Sequence, residues 1–313
     1  MSQVTKNQHI VPELHLKQFS IPKNTQQRLE CFNVDALRIE KQQSPSSICS
    51  GQFHYAIEPG FFDEYSQIVE SAFGDIEDWY AKNIKRMESI LLNKESLNTN
   101  DKYGLSWIIM NFYFRGHWFR KEINQSLDEV LEWMRPDIEK KVNQKVQAEL
   151  GINEKTFDIT SKTVTDHFKK ISKNTSYATN QSFDEGHANT LTHKRWKILI
   201  NNSDSYSFIT GDEPVIELDN SNYPKNYVPA RSFALRTQIF SLSPRVAIVA
   251  SWPENDAEHG QFLFNNITNN KAEIFKQNLN YINHTHKYTY APETTFFSEL
   301  IEYEKRGTIP KLL

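Results

Sequence analysis

The run Arg195-Trp196-Lys197-Ile198-Leu199-Ile200 marks the point where the periodicity of this chain changes. Before it, from Asp63 to Leu150, apolar residues recur every three, four or seven positions, the spacing of one helical face. After it come short β-type runs at Ser205 to Thr210, Val215 to Leu218, Gln238 to Leu242 and Ala247 to Ser251, separated by Asn, Asp, Pro and Gly. One more strand, Arg28-Leu-Glu-Cys-Phe-Asn-Val34, lies in the turn-rich opening segment. Strands, then helices, then strands predict an α+β fold, with a mixed or antiparallel sheet built from the N- and C-terminal parts and packed against a central helical region. The expectation is a single discontinuous domain over residues 1–313. Its β-rich core comes from 1–60 and 191–313, its helices from 61–150, and a polar connection from 151–190.

The helical region divides into three. Val69, Phe73, Ile76, Tyr80, Met87 and Leu91 form one face from Asp63, a candidate N-cap, to Leu92. A second helix, about Asn100 to Ile123, carries Leu105, Ile108, Phe112 and Phe119. A third, about Asn124 to Leu150, is expected to bend or break near Pro136 and to stop at Gly151. Residues 152–190 are polar, with one modest helix near Val164 to Ile171, and read as a mobile or inserted segment. A late helix from about Asn269 to Asn280 precedes a last strand, His286 to Tyr290.

Composition bounds the function classes. Of 313 residues, 36 are basic and 39 acidic, so no global field draws the chain to nucleic acid or anionic lipid, although a local basic groove is allowed. The 20 Phe, 13 Tyr and 6 Trp point to an aromatic-rich core. The opening MSQVTKNQHI lacks a signal-peptide pattern, and the apolar stretch Trp107 to Phe114 is too short to span a bilayer, so a cytoplasmic protein without membrane partners is expected. Cys31 and Cys49 are too few for a disulfide framework or a four-thiolate zinc site.

Three polar residues stand in apolar surroundings. Arg115 falls three after Phe112 and seven after Ile108, on the stripe that should face the core, where a guanidinium needs an anionic partner. It is either a structural ion pair or an anion-binding fork for phosphate or carboxylate. Asp212 follows the β-type run Tyr206-Ser-Phe-Ile-Thr210 in Gly211-Asp212-Glu213-Pro214. It either projects into a cleft or closes a turn on local amides, and a pair with Arg115 would account for both residues. His9 opens His9-Ile-Val-Pro12-Glu-Leu-His-Leu16-Lys-Gln-Phe19, whose apolar residues should anchor the terminus. There it is either a general acid or base, or a hydrogen-bonded structural imidazole. His117 falls on another helical face and reads as surface. His284-Thr-His286 would place two imidazoles on one strand face, yet no third ligand is spaced to complete a metal site, so a divalent metal is not indicated and the cofactor stays open.

No GxGxxG, Walker lysine loop, HExxH or GxSxG occurs, which disfavours the common nucleotide-phosphate and hydrolase frameworks. Pro136-Asp-Ile-Glu139-Lys-Lys141 evokes nuclease carboxylates but falls within one helix and reads as a solvated charge run.

Taken in order, His9-x-x-Pro12 with Leu16 and Phe19, Arg115, Trp196 leading into Phe208-Ile-Thr-Gly-Asp212-x-Pro214, Ser241-Leu-Ser-Pro244 and Asn266 to Asn269 resemble the bacterial family catalogued as domain of unknown function 4238. The similarity spans nearly the whole chain. One departure follows the helix arginine, where Gly116-His117 stand in place of the common Thr-Pro. The resemblance implies a constellation drawn from distant segments, with His9, Arg115 and Asp212 as catalytic candidates and Asn269 and Trp196 as ligand-binding candidates. It implies no reaction. Two readings follow. One is a nuclease-like or nucleotide-processing effector acting on a phosphate-bearing substrate, of the kind found in bacterial stress or phage defence. The other is a non-catalytic module that binds a protein or nucleotide, with Arg115 and Asp212 as a structural pair.

Overall fold

The computed structural model describes residues 7–23, 25–52, 68–151, 186–203, 206–218 and 236–307. The fold is α+β, with sheets on which helices pack. One five-stranded sheet has the order β11-β6-β10-β9-β8, from β6 (Arg195–Ile200), β8 (Val215–Leu218), β9 (Thr237–Ser243), β10 (Val246–Ser251) and β11 (Phe262–Asn266). All its pairings are antiparallel except β11 with β6, where Phe262 faces Trp196 and Asn266 faces Ile200. Strand β9 is buried at every position, as expected for a strand covered on both faces.

A second sheet joins the two ends of the chain. Strand β3 (Gln26–Asn33) pairs with β12 (Tyr288–Ala291), which also pairs with β7 (Thr210–Gly211); β2 (Ile21–Lys23) and β4 (Arg38–Gln43) flank β3. The expected sharing of a sheet between the N- and C-terminal parts therefore holds. A two-stranded ribbon, β1 (Asn7–His9) with β5 (Ser50–Gln52), sits at the N-terminal edge, followed by the short α1 (Glu13–Leu16).

Helices α2 (Ile68–Leu92) and α3 (Thr99–Arg115) pack together and onto the sheet that contains β6, β8 and β10. Tyr80, Ile84, Met87 and Leu91 meet Leu105, Ile108, Ile109 and Phe112 in a core that also takes Trp196, Ile198 and Phe240. Gly104 permits the close approach, since a Cβ there would collide with the Trp79 indole. Asn98 caps α3 by accepting the Asp101 amide at 2.9 Å, and Arg86 clasps the Asp101 carboxylate at 2.5 and 2.7 Å. On the other side of the sheets, α5 (Lys271–His284) and α6 (Thr295–Lys305) enclose Phe275, Leu279, Phe296 and Phe297 with Ile209 and Ile216.

Some local expectations change. The second helix stops at Arg115, and α4 (His117–Leu150) then runs for 34 residues through Pro136 without a break, ending at Gly151 with φ 64°. The stretch before Thr210 is not a strand; the Asn278 side chain holds it instead, accepting from the Ile209 amide at 3.2 Å and donating to the Ser207 carbonyl at 2.9 Å. Asp63 and the helix expected near Val164 lie outside the described residues. No described helix is long and apolar enough to cross a membrane.

Candidate functional site

The site is organised around the corner between α3 and α4. Gly116 adopts an extended conformation, φ −61° and ψ 152°, ending one helix and capping the next. A Cβ here would collide with Glu213 Oε2, so with Glu213 in this position glycine serves for space rather than for its dihedral angles. Buried Glu213 in turn accepts the Trp118 amide at 3.1 Å, placing a carboxylate at the start of α4, where open amides and the helix dipole favour an anion.

Asp212, beside it, is buried and bonded on both oxygens. Oδ1 accepts the amide of His286, and Oδ2 accepts those of Lys287 and Tyr288, each at 2.9 Å. Its own amide donates to the Tyr288 carbonyl at 3.0 Å, so the residue is a clamp that fixes how the chain leaves α5 and enters β12. Burial raises its carboxyl above the usual range, and the three amides and His286 oppose that rise.

Arg115 is 1% exposed and pairs with Glu77 of α2 at 2.6 Å, while Phe73 lies 3.9 Å from the guanidinium carbon. The Arg115–Asp212 pair, one of the alternatives the sequence left open, is not formed. The guanidinium instead ties α3 to α2, and the Asp212 carboxylate is held by backbone amides.

The corner and the clamp together bring His117 and His286 into contact. Their ring centroids are 4.4 Å apart, with planes inclined by 31°. His117 is half-buried and His286 exposed, so a ligand can reach the pair. Trp118 borders them, 46% exposed, its Nε1 donating to the His284 carbonyl at 2.6 Å and Lys121 lying 4.9 Å over its ring. His284 itself ends α5 with Nδ1 on the Asn280 carbonyl at 2.8 Å, so His284 and His286 do not share a strand face.

His9 closes β1 opposite Ser50, half-buried, and the next amide, Ile10, donates to the Cys49 carbonyl at 2.7 Å. The Cys49 thiol is bonded to the Tyr290 hydroxyl at 3.0 Å and is driven up chiefly by burial, with Asp212 and Glu213 among the smaller contributions. The two carboxylates therefore lie within electrostatic reach of the segment that carries His9. Among the described residues, no group of three or more His, Cys, Asp or Glu side chains is placed to hold a metal ion.

With this arrangement in view, the comparison with family models matches residues 7–293 to a family described as "Protein of unknown function (DUF4238)". The chain belongs to that family. No match was found among curated proteins or among solved structures. The family match spans every motif that builds the corner, from His9 to His286, and stops before α6.

The two ligand-binding candidates lie away from this corner in role or exposure. Trp196 is fully buried, with its Nε1 on the Leu191 carbonyl at 2.9 Å and Lys102 Nζ 5.1 Å from its ring, so it is a core residue. Asn269 is exposed in the turn before α5, next to Asn270, the residue that caps that helix. Sequence reading set His117 aside as surface and gave no role to Glu213 or His15. Gly116 was the available signal for the first, since a glycine after a helical run marks a stop and resets every face beyond it. His15 is fully buried, its ring nitrogens 3.1 Å from the Tyr80 hydroxyl and 3.2 Å from the Thr210 hydroxyl, stacked on Phe240. Desolvation lowers its imidazole to about 3, which keeps it neutral.

Proposed function

We propose that this chain is a nuclease-like or nucleotide-processing effector whose reactive groups are the imidazoles of His117 and His286. The observation that carries this reading is their 4.4 Å contact at an accessible surface. Transfer of a phosphoryl group needs a base to take the proton of the attacking hydroxyl and an acid to protonate the leaving oxygen, and imidazole titrates near neutrality in its ordinary state. Two adjacent rings divide those roles. The exposed face of Trp118, with Lys121 over it and Lys287 following His286, offers a stacking surface and positive charge, which suits a base joined to a phosphate. Arg115 and Asp212 serve as the frame that positions the pair, and His9 is a further candidate acid or base from the N-terminal edge.

The test is turnover of RNA, DNA and free nucleotides by the wild-type protein and by His117→Ala and His286→Ala. Both variants should lose about 10²-fold or more in kcat while staying folded, the size of effect expected for general acid–base groups. Trp118→Ala should raise KM. Full activity in both histidine variants sinks the proposal.

The second reading, a non-catalytic protein- or nucleotide-binding module, draws support from the structural partners of Arg115 and Asp212. It predicts nucleotide binding without turnover, weakened by Trp118→Ala and indifferent to His117→Ala.

A further inference from the structure

The helices α5 and α6 line an open groove of about 820 Å³ that shares no residue with the corner. Each contributes the same stripe, Lys271, Ala272, Phe275, Lys276 and Leu279 from one and Ser298, Glu299, Glu302, Tyr303 and Arg306 from the other. The helices run alongside each other in the same sense, because Lys271 bonds Glu299 and Phe275 meets Tyr303 with ring centroids 5.2 Å apart. The two ends of the groove differ in charge. At the first, Lys271 is neutralised by Glu299. At the second, Glu302 is bonded to Lys305 at 2.9 Å, whereas Lys276 and Arg306 have no side-chain hydrogen bond or ion pair among the described residues. Between the ends lie the buried Phe275 and Leu279.

From this layout we infer a binding site for an amphipathic carboxylate. Its aliphatic chain lies along Phe275, Leu279 and Tyr303, and its carboxylate meets Lys276 and Arg306. The volume falls within the range of small-molecule pockets, roughly 300–1,000 Å³. An apolar floor accepts the chain for the usual hydrophobic reason, and the excess of positive charge supplies direction: Lys276, Lys305 and Arg306 outnumber Glu302, whose carboxylate is already satisfied by Lys305 and feels Arg306, so this end of the groove gains more than the other by receiving an anion. This site shares no residue with the histidine pair and stands or falls separately from it.

Calorimetric titration of the full chain with decanoate tests the assignment. Saturable one-to-one binding is expected, weakened about tenfold or more in the Lys276→Gln, Arg306→Gln double variant and in decanol, which keeps the chain and loses the charge. Ser298→Trp, a change at an exposed lining position, should abolish binding by filling the groove. The inference is overturned by absence of binding, by equal affinity for decanol, or by unchanged affinity in Ser298→Trp. Binding seen only in a chain ending at Gly307 would overturn it as well, showing that the chain's own last residues are the occupant.

Discussion

At the scale of single residues, burial decides which polar groups are chemistry and which are framework. Asp212 reads in the sequence as either a cleft carboxylate or a turn closure, and the structure selects the closure because three amides need its oxygens. Asp212→Ala should cost about 3 kcal/mol or more, as three partly buried amides lose a charged acceptor, and Asp212→Asn should cost less. Urea unfolding of the two variants measures this; near-wild-type stability of the alanine variant contradicts it. His15 gives a pH-dependent prediction. Its folded imidazole is lowered from 6.5 to about 3 by burial. Below about 6.5 the unfolded chain takes up a proton that the folded chain refuses until about 3. This residue therefore makes stability fall as pH drops through that window, by at most about 1.4 kcal/mol per pH unit. His15→Phe should flatten the difference in unfolding free energy between pH 7 and pH 5, and an unchanged slope would refute the assignment. Neither the neutrality of His15 nor the partners of Asp212 was legible in the sequence, because both depend on groups brought from more than sixty positions away.

Among the elements, periodicity located the faces and glycine controlled the junctions. The apolar stripe from Phe73 to Leu91 and the partner stripe from Leu105 to Phe112 predict the α2–α3 packing that forms. Gly104 was silent in that reading, since its role is the space taken by Trp79. Gly104→Ala should lower stability by about 1–3 kcal/mol through overpacking, measured by thermal or urea unfolding. An alanine variant as stable as wild type would show that Trp79 moves aside freely. Pro136 carried the opposite lesson. It reads as a break, yet α4 continues through it, while the true interruption at Gly116 looked like one residue within a continuing helix. His117 reads as surface in the sequence, and it stands half-buried just past that boundary.

At the level of the whole molecule, the alternation of strand and helix patterns foretold the α+β class and the pairing of N- with C-terminal strands, realised in β3 with β12. Strand β11 and helix α6 were not seen; the first is mostly half-exposed and joins the sheet edge in parallel, and the second follows the last strand after a short turn. Long-range pairing also explains why the site was only half legible. The Asp212 motif is close in space to the histidine contact, since its carboxylate holds the His286 amide, but His286 against His117 is a contact between positions without a shared local pattern. The central claim is that these two rings act together as acid and base. The pH–rate profile of phosphodiester cleavage tests it most directly. The account predicts a bell-shaped kcat profile in the wild type, with a limb lost in His117→Ala and the other in His286→Ala. A profile of unchanged shape and height in both folded variants would contradict it.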